Sequence, residues 1–219
     1  MRSDEWVRDQ ARQASEQTGE DLERVCLKGP EKTLMRAAVV QPLLTIISLG
    51  YVRRLEEQGL APEVVAGHSL GEIPALAAAG ALTPEQAVAV AAMRGILMDE
   101  AAAFAPGGMA AVFLPLAEVE ALIAQAGMSG RVFIANDNAP AQVVVSAGKD
   151  SLDEFVRLAS GARPGCCKPL RVSGPWHTPL LEEACARLTA CAQIAAPPAP
   201  GQHRQSDAKA QRVAHPARR

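Results

Sequence analysis

The sequence predicts an α/β protein, with a parallel-sheet body and a small α+β subdomain inserted into it. The body is indicated by residues 64–66 (Val-Val-Ala), which are apolar and β-branched and are typical of a buried strand. A tight turn and an Ala-rich helix over 73–80 follow directly. The subdomain is indicated by a change of pattern after residue 106, where shorter strands and helices alternate.

Composition narrows the class of protein further. The chain has 219 residues, 48% of them hydrophobic, and a net charge of −2 from 22 Lys+Arg and 24 Asp+Glu. This balance argues against a nucleic-acid binder and against a disordered chain. No stretch approaches the roughly 20 apolar residues of a membrane span. The charged start lacks a signal core, so we expect a cytoplasmic protein with no membrane partner. Five cysteines without metal-binding spacing predict reduced thiols.

The helical part of the body is predicted in three long segments. Residues 1–28 form a helix that ends at a Gly-Pro pair, and residues 33–58 form a second helix. Pro42 should bend or restart the second helix, because it lacks an N–H and clashes one turn back. A third helix runs from residue 84 to about 104, capped by Thr83 with proline at its first position.

The inserted subdomain spans residues 107–172. Its segments read strand, helix, strand, strand, helix, strand, the split βαβ order of a ferredoxin-like module. The body therefore comprises residues 1–106 and 173–192. Residues 193–219 are rich in proline and lack apolar periodicity, so we expect a disordered tail.

The turn after the predicted strand carries a reactive-serine motif. Residues 67–71 read Gly-His-Ser-Leu-Gly and fit G-x-S-x-G, the nucleophile elbow between a strand and a helix. The motif would expose the Ser69 hydroxyl at a helix N-terminus, where the backbone N–H of Leu70 could stabilise an oxyanion. The alternative is an ordinary Gly-rich turn with a solvent-exposed serine.

A serine nucleophile needs a base, and elimination among the four histidines favours His177. His68 adjoins the serine and would point elsewhere on a tight turn. His203 and His215 fall in the predicted tail. His177 follows a strand in a Gly/Pro-rich loop, a common place for catalytic groups. A surface-loop histidine without a role is the competing interpretation.

Five sequence blocks in register give a family resemblance over roughly residues 10–192. The chain resembles malonyl-CoA:acyl-carrier-protein transacylases and the acyltransferase domains of polyketide synthases. The resemblance implies a hydrolase-like body. The blocks are Gln41-Pro42, GHSLGE at 67–72, Met93-Arg94-Gly95, GGMAAV at 107–112 and GPWHTPLL at 174–181.

The resemblance implies a ping-pong acyl transfer. Ser69 would take the malonyl group from malonyl-CoA, with His177 as base and Leu70 as an oxyanion donor. The phosphopantetheine thiol of an acyl carrier protein would then accept the malonyl group. No metal and no organic cofactor is implied, since coenzyme A enters as part of the substrate.

Further residues receive substrate-binding roles from the same resemblance. Arg94 would pair with the free malonyl carboxylate through its two N–H donors, although it could be a solvent-facing helix residue. Gln41 would line the pocket, or be only a helix residue before a kink. His68 would lie at the pocket wall. Trp176 precedes the base and would disfavour a 2-methyl group, so malonyl is expected over methylmalonyl.

Departures from the family pattern leave alternatives open. The family's first strand with its Gly-Gln-Gly loop and a C-terminal strand are not found, so we expect a chain truncated at both ends. A serine thioesterase or hydrolase, and an inactive acyltransferase fragment, are therefore the alternatives. The sequence does not separate fatty acid from polyketide biosynthesis.

Overall fold

The computed structural model describes residues 4–194, which form two compact units. The first unit combines residues 4–34, 38–95 and 190–194, and the second combines residues 35–37 and 96–189. The expected disordered tail lies outside the described residues, except that residues 193 and 194 belong to the last helix.

The first unit is helical, and its first helices are set by aspartate caps. The Asp4 carboxylate accepts the N–H of Val7, and the Asp21 carboxylate accepts the N–H of Arg24. Gly19 has φ 71° and ends the first helix in the left-handed conformation. The single helix predicted over 1–28 is therefore wrong, because it is two helices. The helices are α1 (Glu5–Thr18), α2 (Leu22–Lys28), α3 (Glu31–Leu34), α4 (Ala37–Glu57), α5 (Glu72–Ala78) and α6 (Pro84–Phe104), the last of which enters the second unit.

Helix α4 contains Pro42 in its interior and is assigned as one helix. The predicted restart at this proline is not observed. Pro42 lies near the helix N-terminus, so its missing N–H removes only one of the earliest bonds of the helix.

The core of the first unit is formed by apolar faces of α1, α2, α4, α5 and α6. Its buried members include alanines of both α1 and α6. The fully buried or nearly buried members are Val7, Ala11, Ala14, Leu22, Val25, Val39, Leu43, Ile46, Leu49, Ile73, Ala87, Val88 and Ala91.

Residues 64–66 do not form the predicted buried strand. They have no strand assignment, and Val64 is 69% exposed. A strand needs a neighbouring strand to accept its backbone hydrogen bonds, and none of the residues described here pairs with this segment. Within residues 4–194 the one sheet is antiparallel, so the parallel sheet expected for the body is not among them.

The second unit contains that sheet, and its elements follow the order β-α-β-β-α-β. The strands lie in the order β2-β3-β1-β4, and every pair is antiparallel. The elements are β1 (Gly107–Val112), α7 (Leu116–Gln125), β2 (Val132–Ala139), β3 (Gln142–Gly148), α8 (Lys149–Ala162) and β4 (Cys167–Pro169).

The core of this unit lies between the sheet and helices α7 and α8. Alternating residues of β1 and β3, including Ala110 and Val145, meet Val119 of α7 and Phe155 of α8, all almost fully buried. After β4 the chain forms a loop, a 3-10 turn (Pro179–Leu181) and helix α9 (Glu182–Ile194).

Candidate active site

Ser69 occupies a strained position where an extended segment turns into a helix. His68 is extended, with φ −104° and ψ 120°, and Ser69 opens a 3-10 turn that continues into α5. Ser69 has φ 52°, a left-handed conformation that non-glycine residues rarely adopt. Such strain persists only where surrounding structure holds it, and it is typical of reactive sites.

The glycines on either side of Ser69 have different functions. A Cβ at Gly67 would lie 2.0 Å from the carbonyl carbon of Gly71 and 2.2 Å from the nitrogen of Glu72. Gly67 is therefore needed for the backbone to fold back on itself. A Cβ at Gly71 would meet nothing within 4 Å, and Gly71 has an ordinary helical φ of −59°.

Arg94 connects Ser69 with Gln41. Its Nη1 donates to Oε1 of Gln41 at 2.5 Å, and its Nη2 donates to Oγ of Ser69 at 3.2 Å. Gln41 is 5% exposed, whereas Arg94 and Ser69 are half-buried. The structure thus brings together three of the residues predicted for the site, from α4, the 3-10 turn and α6. A fixed cation beside a serine hydroxyl suits recognition of an anionic acyl group.

Helix α6, which carries Arg94, begins at a reciprocal capping box. The N–H of Gln86 donates to Oγ1 of Thr83, and the N–H of Thr83 donates to Oε1 of Gln86. This agrees with the predicted cap at Thr83.

Asp99 also lies on α6 and was not predicted to matter. Its Oδ1 accepts the backbone N–H of Ala37, the first residue of α4, at 2.8 Å. Asp99 therefore caps the helix that carries Gln41, and Arg36 approaches the same carboxylate at 3.4 Å. A single acidic residue 62 positions away gives no local signal for such a contact.

Two other predicted site residues flank the serine. His68 is exposed, with its backbone carbonyl accepting the N–H of Gly71 at 3.0 Å. Leu70 is half-buried and packs against the core of the first unit. That packing holds the turn in place, so the backbone of Leu70 is fixed beside the serine.

His177 and Trp176 lie on the loop between β4 and the second 3-10 turn, in the second unit. His177 is exposed and has φ 60°. Ser69 and His177 are the non-glycine residues with positive φ in the described part of the chain. The hydroxyl of Thr178 donates to the carbonyl of Pro175 at 2.9 Å, which braces the loop around His177.

Two glycines are closely approached by the same loop. A Cβ at Gly107, at the start of β1, would lie 2.3 Å from the carbonyl oxygen of Ala147 and 2.7 Å from Cβ of Pro175. A Cβ at Gly174 would lie 2.4 Å from Cη2 of Trp176. The proline ring and the indole therefore occupy space that side chains would otherwise fill, which sequence patterns alone did not reveal.

The described part of the chain offers neither a metal centre nor a helix able to span a membrane. Between residues 4 and 194, no group of three or more His, Cys, Asp or Glu could hold a metal ion. The five cysteines are free. Burial, followed by the neighbouring Cys166, raises the pKa of Cys167 to about 11, so its thiol stays protonated near neutral pH. None of the described helices has the length and apolar character to span a membrane.

Comparison with known families identifies the class of protein. Residues 3–214 match the model of the acyl transferase domain. The chain therefore belongs to the acyl transferase domain family.

The relatives are enzymes of acyl transfer. The chain is 35% identical over 180 residues to a polyketide biosynthesis malonyl CoA-acyl carrier protein transacylase of Bacillus velezensis, covering 81% of this chain and 61% of the relative. It is 34% identical over 178 residues to the malonyl CoA-acyl carrier protein transacylase of Escherichia coli, covering 80% and 58%. The chain thus spans about three fifths of the length of these relatives.

The solved structures that are similar to this chain include malonyl transacylases. The malonyl-CoA:acyl carrier protein transacylase of Xanthomonas oryzae matches with a TM-score of 0.77 at 35% identity, covering 86% of this chain and 60% of that one. A malonyl-transacylase in complex with a type II polyketide synthase acyl-carrier protein matches with a TM-score of 0.77 at 30% identity, covering 88% and 63%.

Proposed function

We propose that the chain transfers a malonyl group from malonyl-CoA to the phosphopantetheine thiol of an acyl carrier protein. The observation that carries the proposal is the Arg94 guanidinium, held by Gln41 and donating to the hydroxyl of Ser69. The family membership and the names of the relatives support the same activity.

The first half-reaction is acylation of Ser69. Its oxygen attacks the thioester carbonyl, its proton passes to His177, and the coenzyme A thiol leaves after taking up that proton. The backbone N–H of Leu70 and the N-terminus of the following helix stabilise the oxyanion. The positive φ of Ser69, which holds its side chain out on a sharp turn, supports its role as nucleophile.

The second half-reaction returns the enzyme to its starting state. The carrier-protein thiol loses its proton to His177 and attacks the ester carbonyl. The Ser69 oxygen leaves and takes that proton back from His177, which restores the serine hydroxyl. The constrained loop backbone at His177 supports this assignment. No metal or organic cofactor takes part.

Arg94 selects the acyl group. On a malonylated Ser69, the free carboxylate lies a methylene group beyond the ester carbonyl, within reach of a guanidinium that already contacts the serine oxygen. The carboxylate replaces the hydroxyl as acceptor, and Gln41 keeps the guanidinium oriented. An acetyl group would leave this charge without a carboxylate.

His68 forms part of the pocket wall, and Trp176 disfavours methylmalonyl. Residues 107–172 are a ferredoxin-like subdomain, supported by the strand order β2-β3-β1-β4, and the body that the sequence predicts over 1–106 and 173–192 is hydrolase-like. The five free thiols fit a cytoplasmic location.

Transfer to a carrier protein tests the proposal against hydrolysis. The chain is incubated with malonyl-CoA and a holo acyl carrier protein, and malonyl-carrier protein and free malonate are both measured by mass spectrometry. We expect the carrier protein to be malonylated, and apo carrier protein without the pantetheine thiol to remain unmodified. Release of malonate alone, unchanged by the carrier, would identify a thioesterase or hydrolase. Neither product, from folded protein, would identify an inactive fragment.

A further inference from the structure

Helices α4 and α6 are joined by two hydrogen bonds at matching intervals. Oδ1 of Asp99 accepts the backbone N–H of Ala37 at 2.8 Å, and Nη1 of Arg94 donates to Oε1 of Gln41 at 2.5 Å. Gln41 follows Ala37 by four positions, and Arg94 precedes Asp99 by five. At 1.5 Å of rise per residue, these intervals are about 6 Å and about 7.5 Å along the two helices. The helices are therefore antiparallel here, and both bonds join the same stretch of the pair.

The first turn of α4 has little support from its own sequence. The residue before the helix is Arg36, whose guanidinium has no acceptor atom with which to cap a helix N-terminus. Pro42 has no N–H to donate to the carbonyl four residues earlier. Gln41 lies between these two positions. The carboxylate of Asp99 supplies the missing acceptor, and its charge suits the positive end of the helix dipole.

Arg36 also approaches the carboxylate of Asp99, but this ion pair is weak. The distance from Nε of Arg36 to Oδ2 of Asp99 is 3.4 Å, and the Arg36 side chain is 47% exposed. Water and the entropy of a long side chain leave such a surface pair with little net stabilisation. The Asp99 side chain is only 17% exposed, so its bond to the backbone of Ala37 is better shielded. The cap is therefore the main contribution of Asp99.

We propose that Asp99 is a positioning residue for Gln41 and Arg94, and that it thereby supports the selection of an anionic acyl group. This rests on the proposed function, in which Arg94 binds the malonyl carboxylate and Gln41 orients the guanidinium. Asp99 acts by holding the start of α4 against α6. Without that bond, the first turn of α4 frays and Gln41 no longer keeps the guanidinium in one orientation.

Hydrogen exchange tests the hold on α4 without any activity measurement. In the full chain, Asp99→Ala should raise the exchange rate of the amides at 37–41 by about fivefold, the order of effect of a lost helix cap. Asp99→Asn retains an oxygen acceptor and should stay within about twofold of the parent. Glu100→Ala is the matched control, since Glu100 is the next residue of α6 and pairs with Arg187 of α9. It should leave these amides unchanged.

Acylation kinetics test the consequence for the acyl group. kcat/KM is measured with malonyl-CoA and with acetyl-CoA, and the ratio of the two values is compared between variants. Asp99→Ala should lower this ratio by about threefold to tenfold, whereas Asp99→Asn should retain it. Asp99→Glu keeps the charge but displaces the acceptor by one methylene group, so it is a milder variant that should lower the ratio less. Arg36→Ala removes the ion pair alone and should change the ratio by less than about twofold.

Any of four results would overturn the proposal. Equal losses with both thioesters in Asp99→Ala would show that Asp99 supports the fold and not the choice of acyl group. Asparagine behaving like alanine would show that charge matters and the cap does not. Unchanged exchange in Asp99→Ala would show that α4 is held by other contacts. If the folded parent takes up neither acyl group, the proposed function fails and the selectivity role fails with it, while hydrogen exchange still decides whether Asp99 holds α4. Circular dichroism and thermal melting verify that each variant is folded.

Discussion

The backbone of Gly67 approaches that of Gly71 so closely that a Cβ on Gly67 would lie 2.0 Å from the Gly71 carbonyl carbon. The contact closes the turn that carries Ser69 in a left-handed conformation with φ 52°. The two glycines of the motif are therefore not equivalent. One is required by a steric contact, whereas the other has an ordinary helical conformation and open space around its Cα.

Alanine substitution should separate the two glycines. Gly67→Ala must push the turn apart and should lower the free energy of unfolding by about 1–3 kcal/mol, the usual cost of overpacking. Gly71→Ala should change it by less than about 0.5 kcal/mol. Urea denaturation of both variants checks this. Equal effects of the two substitutions would contradict the steric role of Gly67.

The strained backbone at Ser69 should lower the free energy of unfolding. Ser69→Ala and Ser69→Gly both remove the hydroxyl that accepts from Arg94, so their difference isolates the backbone conformation. Glycine adopts positive φ freely and alanine does not. We expect Ser69→Gly to be more stable than Ser69→Ala by about 1 kcal/mol in urea denaturation. If alanine is equally stable or more stable, the turn does not store strain at this residue.

Removal of the guanidinium should change which thioester acylates the serine. Arg94→Ala should reduce kcat/KM for malonyl-CoA by about 10- to 100-fold, the size of a lost charge-assisted hydrogen bond. Acetyl-CoA should not suffer this loss. Arg94→Lys keeps the charge but loses the planar fork, and it should show an intermediate effect. A uniform loss for both thioesters would indicate that Arg94 maintains the fold and does not select the acyl group.

The cysteines should differ in reactivity towards iodoacetamide. The thiolate is the reactive form, and Cys167 has its pKa raised to about 11 by burial and by Cys166. At pH 8, exposed Cys185 and Cys191 should be alkylated well before Cys167. The rate at Cys167 should rise steadily as pH increases towards 11. Peptide mass spectrometry after timed quenching measures this, and equal rates at Cys167 and Cys185 would contradict the assigned shift.

The features that sequence predicted well depend on local signals. Helix α6 has the predicted start at residue 84, because a threonine cap and a following proline fix a helix N-terminus within a few residues. The alternation of elements after residue 106 was readable because each strand and helix has its own periodicity. The serine turn was found because five consecutive residues define it.

The features that were predicted wrongly or not predicted at all depend on contacts between residues far apart in the sequence. Residues 64–66 have strand composition, yet composition does not supply a pairing partner. The capping of Ala37 by Asp99 joins positions 62 residues apart. Arg94 and Gln41 were named through family resemblance, and their direct hydrogen bond follows only from the packing of two helices. The close contact of the Trp176 indole with Gly174 likewise follows only from the folding of the loop.

Acylation of Ser69 is the step on which the proposed transfer depends. Purified chain is incubated briefly with malonyl-CoA, and its intact mass is compared with that of Ser69→Ala treated in the same way. We expect the parent to gain the mass of one malonyl group and the variant to gain none. A folded parent that stays unmodified, or a variant that is modified equally, would contradict the assignment of Ser69 as the acyl-accepting nucleophile.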